Sequence, residues 1–191
     1  MRVYVASSWR NPWQPGVVGL LRSLGHDVYD FRHPKEGDVG FSWGDIAAEW
    51  KGWTPEQYRR GLSHTIARAG FKSDKDALAW ADACVAVQPY GTSTAMEVGW
   101  AAGAGKRTAI LFPVGMPLTA IGGHSVDAEA YCKACRDGGA LYTAQTPKGC
   151  LLPGKLGRVE AELMALLADT ILIGESDLTE WVRDAWPGDP K

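Results

Sequence analysis

Two acids and a tyrosine carry the sharpest chemical signal in this chain. Glu97 sits one turn into a segment that opens Gly91-Thr92-Ser93-Thr94, after a buried apolar run, Ala83-Cys84-Val85-Ala86-Val87. Asp74 lies eight residues before Asp82, which directly precedes the same run, and Tyr4 lies in an apolar stretch at the N-terminus. Two carboxylates brought into one cleft can divide roles. One acts as a nucleophile and the other, with its pKa raised, as a proton donor. A Gly/Thr/Ser turn at a helix start can hold a phosphate or a sugar hydroxyl on free N–H groups. Ser8, Trp9 and Arg10 follow the first apolar run, and an arginine beside serines at a strand end can clamp an anion.

Each residue also has an ordinary use. Thr94-x-x-Glu97 has capping-box spacing, and a carboxylate tied up as a cap cannot serve as a nucleophile. Asp74 suits an N-cap, and Asp82 can simply end a helix ahead of a strand. A turn arginine is usually solvated, and Tyr4 could be core packing.

The elements that must position these residues follow from apolar spacing. Residues 2–6 read as a strand, residues 14–24 as a helix ended by Gly25, and residues 26–31 as a second strand. No Gly-x-Gly-x-x-Gly follows the first strand, so the dinucleotide fingerprint is absent. Residues 32–52 shift to Gly, Pro, charge and aromatics, including Phe41, Trp43 and Trp50, with Trp53 just beyond. This group could stack a base, although aromatic clusters in loops more often anchor the loop. Thr54 caps and Pro55 opens a helix running to about residue 69. Ser73 or Asp74 starts another through Trp80. Residues 83–87 and 107–112 are strands around a helix, a parallel β-α-β unit with its ligand side at the carboxyl ends of the strands. Residues 113–157 are Gly/Pro-rich, with a short helix at 126–136. A helix at 159–167, a strand at 170–173 and a last helix opening at Ser176 complete the chain. The expected fold is α/β, a doubly wound five-stranded parallel sheet of flavodoxin/Rossmann-like type. Residues 1–191 are read as one domain with an irregular insert at about 113–157.

Bulk composition narrows the function. The 191 residues carry a formal net charge of −2, which gives no electrostatic case for nucleic acid polymers or anionic membranes. No apolar stretch approaches a membrane span, and no secretory signal is visible, so a cytoplasmic protein is expected. Four cysteines do not suggest a disulfide scaffold. Cys132-x-x-Cys135, with His124 and Cys150 nearby, lacks the second knuckle of a strong zinc signal, so neither metal nor cofactor is expected.

Three stretches together resemble the nucleoside 2-deoxyribosyltransferase superfamily, including its deoxynucleoside 5′-monophosphate N-glycosidase branch. They are Tyr4-Val5-Ala6-Ser7-Ser8-Trp9-Arg10, residues 74–82 (DKDALAWAD) and residues 91–106 (GTSTAMEVGWAAGAGK). A weaker likeness covers residues 162–181. The resemblance implies an enzyme acting on a small-molecule nucleoside or nucleotide. Glu97 would be the nucleophile on the anomeric carbon. Asp74 would contact the sugar or protonate the departing base, and Tyr4 would orient Glu97. Ser8, Trp9, Arg10, Gly91, Thr92 and Ser93 would bind substrate. A covalent glycosyl-enzyme would then pass to another base or to water. Family sites are often completed by a neighbouring subunit, so a homo-oligomer is expected by analogy.

The chain also departs from the family. Transferases of free nucleosides carry an acid in the turn before the nucleophile, where this chain has Gly91-Thr92-Ser93. They also use a C-terminal carboxylate, where this chain ends Pro187-Gly188-Asp189-Pro190-Lys191. The hydroxyl turn is closer to the monophosphate hydrolases. A rival of another class is a nucleotide- or flavin-binding module without catalysis, since the same fold serves such proteins. A third is an interaction protein presenting its aromatic loop at 41–53.

Overall fold

Short runs of β-branched and small apolar residues build the sheet. The computed structural model describes residues 1–9, 11, 13–113, 116 and 167–184. Strands β1 (Arg2–Ala6), β2 (Asp27–Tyr29), β3 (Ala83–Val87), β4 (Arg107–Phe112) and β5 (Thr170–Ile173) form one parallel sheet in the order β2-β1-β3-β4-β5. The fold is the expected α/β class. Chain order reverses between β1 and β3, which makes the carboxyl ends of those two strands the switch point where such sheets bind ligands.

Alternation along the strands sends side chains to two cores. Val3, Val5, Val85, Val87, Ala109 and Leu111 face helices α1 (Gln14–Ser23) and α5 (Gly174–Arg183), meeting Val17, Leu21, Leu178 and Trp181. Tyr4, Ala6, Cys84, Ala86 and Ile110 face α3 (Thr65–Trp80) and α4 (Thr92–Gly103), meeting Ala77, Leu78, Val98 and Ala101. Strands buried on both faces read as unbroken apolar runs, and all five residues of β3 are buried. At the far end of the sheet from the switch point, Asp82 accepts from the Arg2 backbone N–H at 2.9 Å and pairs with its guanidinium. Asp82 thus has a structural use beyond ending a helix: it fastens the start of β3 to the start of β1.

The break between two helices falls elsewhere than expected. Thr54 caps α2 (Pro55–Gly61) in a capping box with Gln57, and Pro55 sits in the first turn, as the sequence indicates. The helix stops at Gly61, however, and does not continue to residue 69. The break falls at residues 62–64, where the His64 ring accepts from the Ile66 N–H at 3.3 Å and caps α3. From Thr65 the helix runs through Ser73 and Asp74 to Trp80, so neither of those residues is an N-cap. A polar side chain caps only where the preceding residues leave the helix, and nothing in residues 65–72 makes them leave.

Gly70 looks like a break in sequence but is a seat. A Cβ there would lie 2.8 Å from Phe41 Cβ, and one on Gly61 would lie 2.5 Å from the Trp53 ring. Phe41, Trp43, Trp53 and Tyr58 contact one another, mostly edge to face, with centroids 4.9–5.7 Å apart. The aromatic loop is therefore anchored on α2 and α3 through two glycines. Among the described residues no helix is long and apolar enough to cross a membrane. Apart from Pro113 and Met116, the stretch at 113–157, with His124, Cys132, Cys135 and Cys150, lies outside the described residues, as does the helix expected at 159–167 up to residue 166.

Gly70→Ala sets two magnitudes against each other. Alanine favours the helix by about 1 kcal/mol, whereas overpacking against a side chain rooted at its own Cβ costs about 1–3 kcal/mol. Net destabilisation is expected in urea unfolding, and a more stable variant would show that Phe41 is not tightly seated.

Candidate active site

Strand register creates the site. Tyr4 on β1 is paired with Tyr29 on β2, and both point to the face covered by α3 and α4. Their rings stack with centroids 5.3 Å apart and planes 18° from parallel. Each hydroxyl then meets a carboxylate from a different helix. The Tyr4 hydroxyl donates to Glu97 Oε1 at 3.3 Å, and the Tyr29 hydroxyl donates to Asp74 Oδ1 at 2.8 Å.

Both acids lie on the inner faces of their helices. Asp74 falls seven residues after the buried Ala67 and four before the buried Leu78. Glu97 falls three after the buried Thr94 and four before the buried Ala101. Those intervals place each carboxylate on the stripe turned to the sheet. The capping-box reading of Glu97 is overturned. Helix α4 already begins at Thr92, its N-cap is Gly91, and no side chain caps it. Thr94 is thus a buried residue within the first turn, and the Gly91-Thr92-Ser93 turn is a cap followed by two helical residues. All three are exposed, with no acidic residue in that turn.

Burial governs the electrostatics. Together with the negative charge of Asp74, and against the Tyr4 hydrogen bond, it raises the Glu97 carboxyl from an ordinary 4.5 to about 7. Asp74 is also raised, chiefly by burial, with the Tyr29 bond pulling it back. Both phenols are raised by burial and by the neighbouring acids, so they stay protonated and remain donors. Two carboxylates that repel one another and resist ionisation suit a nucleophile and proton-donor pair.

The loop after β1 is fixed by residues that sequence reasoning passed over. Asn11, almost fully buried, brings its amide nitrogen within 2.9–3.2 Å of the carbonyls of Val87, Gln88 and Pro89, at the end of β3. Ser7 Oγ donates to the Val87 carbonyl at 3.0 Å. Arg32, 3% exposed, donates from Nη2 to the carbonyls of Ser8, Trp9 and Asn11 at 2.8–3.1 Å. The strand-one turn and the turn before α4 are thereby joined across the switch point. Trp9 remains half exposed, set edge-on to Phe31. Arg10 lies outside the described residues, and the arginine that organises this turn is Arg32. An arginine followed by His-Pro-Lys reads as solvated, so no local signal marks it. Tyr29 could have been found: the same strand position in adjacent parallel strands puts it beside Tyr4. Among the described residues no group of three or more His, Cys, Asp or Glu could hold a metal ion.

No family model matches the chain, and no curated protein matches it. Among solved structures it is similar to a 2-deoxyribosyltransferase from the psychrotolerant bacterium Bacillus psychrosaccharolyticus. That likeness has 26% identity over 62% of this chain and 77% of that one, with a TM-score of 0.40. It is also similar to a conserved protein from Enterococcus faecalis V583, at 16% identity over 95% of this chain and 96% of that one, with a TM-score of 0.48. Overlap at this level leaves the chemistry to be read from the residues themselves.

The raised Glu97 pKa makes a signed prediction about stability. The folded state keeps this proton up to about pH 7, whereas an ordinary carboxyl releases it near 4.5. Between those values the folded state binds more protons, so stability falls as pH rises. Glu97→Gln removes that loss. The variant is expected to gain on the parent across this window, by on the order of 2–3 kcal/mol at pH 8. Denaturation at pH 4.5 and pH 8 tests it, and an equal difference at both would show an unperturbed carboxyl.

Proposed function

We propose that the protein cleaves or transfers across the N-glycosidic bond of a (deoxy)nucleoside or its 5′-monophosphate, through a covalent glycosyl–Glu97 intermediate. The observation that carries this reading is the pair of partly buried carboxylates, each held by a tyrosine hydroxyl from adjacent strands. The sequence resemblance built on residues 4–10, 74–82 and 91–106 runs through the same side chains.

The reaction divides into two balanced halves. A Glu97 carboxylate oxygen bonds to the anomeric carbon as the carbon–nitrogen bond breaks, and its electron pair goes to the departing base. Asp74 supplies the proton that the base nitrogen takes up. In the second half, water or the nitrogen of another base attacks the anomeric carbon, Glu97 is released, and the attacking group's proton returns to Asp74. Tyr4 orients the nucleophile and favours its charged form.

Hydrolysis of a 5′-monophosphate is the second reading, favoured by the start of α4. Gly91, Thr92 and Ser93 are exposed there, the N-cap makes no side-chain hydrogen bond, and the first turn of the helix holds no acid. Ser8 and Trp9 lie in the loop that Asn11 and Arg32 fasten beside the end of β3. We place substrate at the carboxyl ends of β1 and β3, with a second copy of the chain completing the site.

Incubation with nucleosides and their 5′-monophosphates, with and without a second free base, tests the reading. Released or exchanged base is expected from the parent and a loss of at least about a thousandfold from Glu97→Ala. Unchanged turnover in the variant would remove Glu97 from the mechanism. Free sugar and released base without any exchanged nucleoside, with a second base present, would select hydrolysis. Tight nucleotide or flavin binding without turnover would favour a binding module instead.

The pH profile follows from the same groups. Activity requires Glu97 as carboxylate, so the acid limb is expected near pH 7. Tyr4→Phe removes a bond that favours the anion and moves that limb up. Asp74→Asn removes the proton donor and is expected to abolish the alkaline limb while leaving the acid limb in place. An acid limb unmoved in Tyr4→Phe, or an alkaline limb that persists in Asp74→Asn, would contradict the assignment.

A further inference from the structure

Tyr29 has two partners on the same helix, which fixes the direction of its hydrogen bonds. A phenol has one proton, and here it goes to Asp74 Oδ1 at 2.8 Å. Ser73 Oγ lies 3.0 Å from the same hydroxyl and must therefore be its donor. The resulting chain runs from Ser73 to Tyr29 to Asp74. It spans from α3 to β2 and back, and the Tyr4 ring beneath keeps the Tyr29 ring from swinging away.

This arrangement distinguishes the two oxygens of Asp74. Oδ1 already accepts a hydrogen bond from Tyr29, so it is the poorer place for a proton, and a proton on this carboxyl resides on Oδ2. When that proton leaves, the negative charge that develops is met at once by a donor already in position. Among the described residues, the titratable groups facing Asp74 are Tyr29 from β2, Tyr4 from β1 and Glu97 from α4, with Asp38 of the preceding loop acting on Tyr29. Only Tyr29 among them donates to Asp74.

We infer that Tyr29 is a positioning residue for the proposed glycosidic chemistry: backed by Ser73, it directs the Asp74 proton to Oδ2 and stabilises the carboxylate left when that proton passes to the departing base. The inference rests on the reading of Asp74 as proton donor. No new reagent is needed. Oδ2 loses a proton, the base nitrogen gains it together with the electron pair of the broken bond, and Asp74 becomes the anion that Tyr29 holds. Burial alone would make that anion costly, and the Tyr29 bond opposes burial.

Tyr29→Phe is the test, because it keeps the ring stacked on Tyr4 and removes one oxygen. With natural nucleosides, kcat is expected to fall on the order of tenfold with KM little changed, the scale of one charge-assisted hydrogen bond. The alkaline limb, where Asp74 loses its proton, is expected to move to higher pH, because the bond removed favours the charged form. A p-nitrophenyl glycoside, whose leaving group needs no proton, should react at nearly the parental rate. A wild-type pH profile, or an equal loss on both substrates, overturns the inference. Ser73→Ala provides a second, milder variant with movement expected in the same direction, and no movement there counts against the chain of bonds. Carboxyl 13C titration without substrate, with the Asp74 signal assigned by its loss in Asp74→Asn, separates the two claims. If the parent turns over no nucleoside, the proposed function fails. The Tyr29 assignment then stands on an Asp74 titration that moves up in Tyr29→Phe, and an unmoved titration overturns it.

Discussion

Partly burying two carboxylates, one on α3 and one on α4, is the constraint from which the rest of this site follows. A carboxylate taken out of water loses hydration that only strong donors can replace, and two of them repel each other. The protein meets this with two phenols, each aimed at one acid. The phenols can do so because burial and the nearby negative charge keep them protonated. Among the described residues no cation pairs with either acid, and each has a proton affinity above that of an ordinary carboxyl. The same burial that makes the pair costly to fold makes it chemically useful.

The pairing depends on strand register more than on the helices. Because Tyr4 and Tyr29 are partners across β1 and β2, a slip of one residue would send either ring to the opposite core, among Val3, Val5 and Val28. Register in turn is held by the apolar alternation of β1, which has no polar residue after Arg2. Beyond the strand ends, precision is supplied by polar side chains. Asn11 joins the β1 loop to the end of β3, and Arg32 gathers three carbonyls of the same loop. Backbone groups in a buried loop need partners, and these two residues supply them where no ladder can.

The aromatic loop completes the neighbourhood. Phe41 seats on Gly70, one helical turn before Asp74, and Trp53 seats on Gly61. A glycine in mid-helix usually weakens the helix, but here it lets a ring approach the backbone more closely than any side chain would allow. The tryptophans at 43 and 53 therefore act first as anchors for the loop, which was the ordinary reading of that cluster.

The sequence by itself determined the sheet and its direction. Five apolar runs separated by helix-length segments are enough for a parallel α/β fold, and Gly25, Thr54 and Pro55 mark helix ends through local chemistry that needs no tertiary context. Asp74, Glu97 and Tyr4 were legible as candidates from residue type and spacing. Their ordinary alternatives were not separable there, because a capping box and an inward-facing carboxylate share one pattern. Only the tertiary structure decided that α3 begins at Thr65, that Asp74 lies mid-helix on the buried face, and that Thr92 opens α4 ahead of Thr94. Helix boundaries depend on which end finds a cap and which glycine finds a packing partner, and Phe41 is far from Gly70 in sequence. Tyr29, Asn11 and Arg32 were hidden for the same reason. A hydrogen bond that spans dozens of residues leaves no local period to read, and it exists only once the strands have paired.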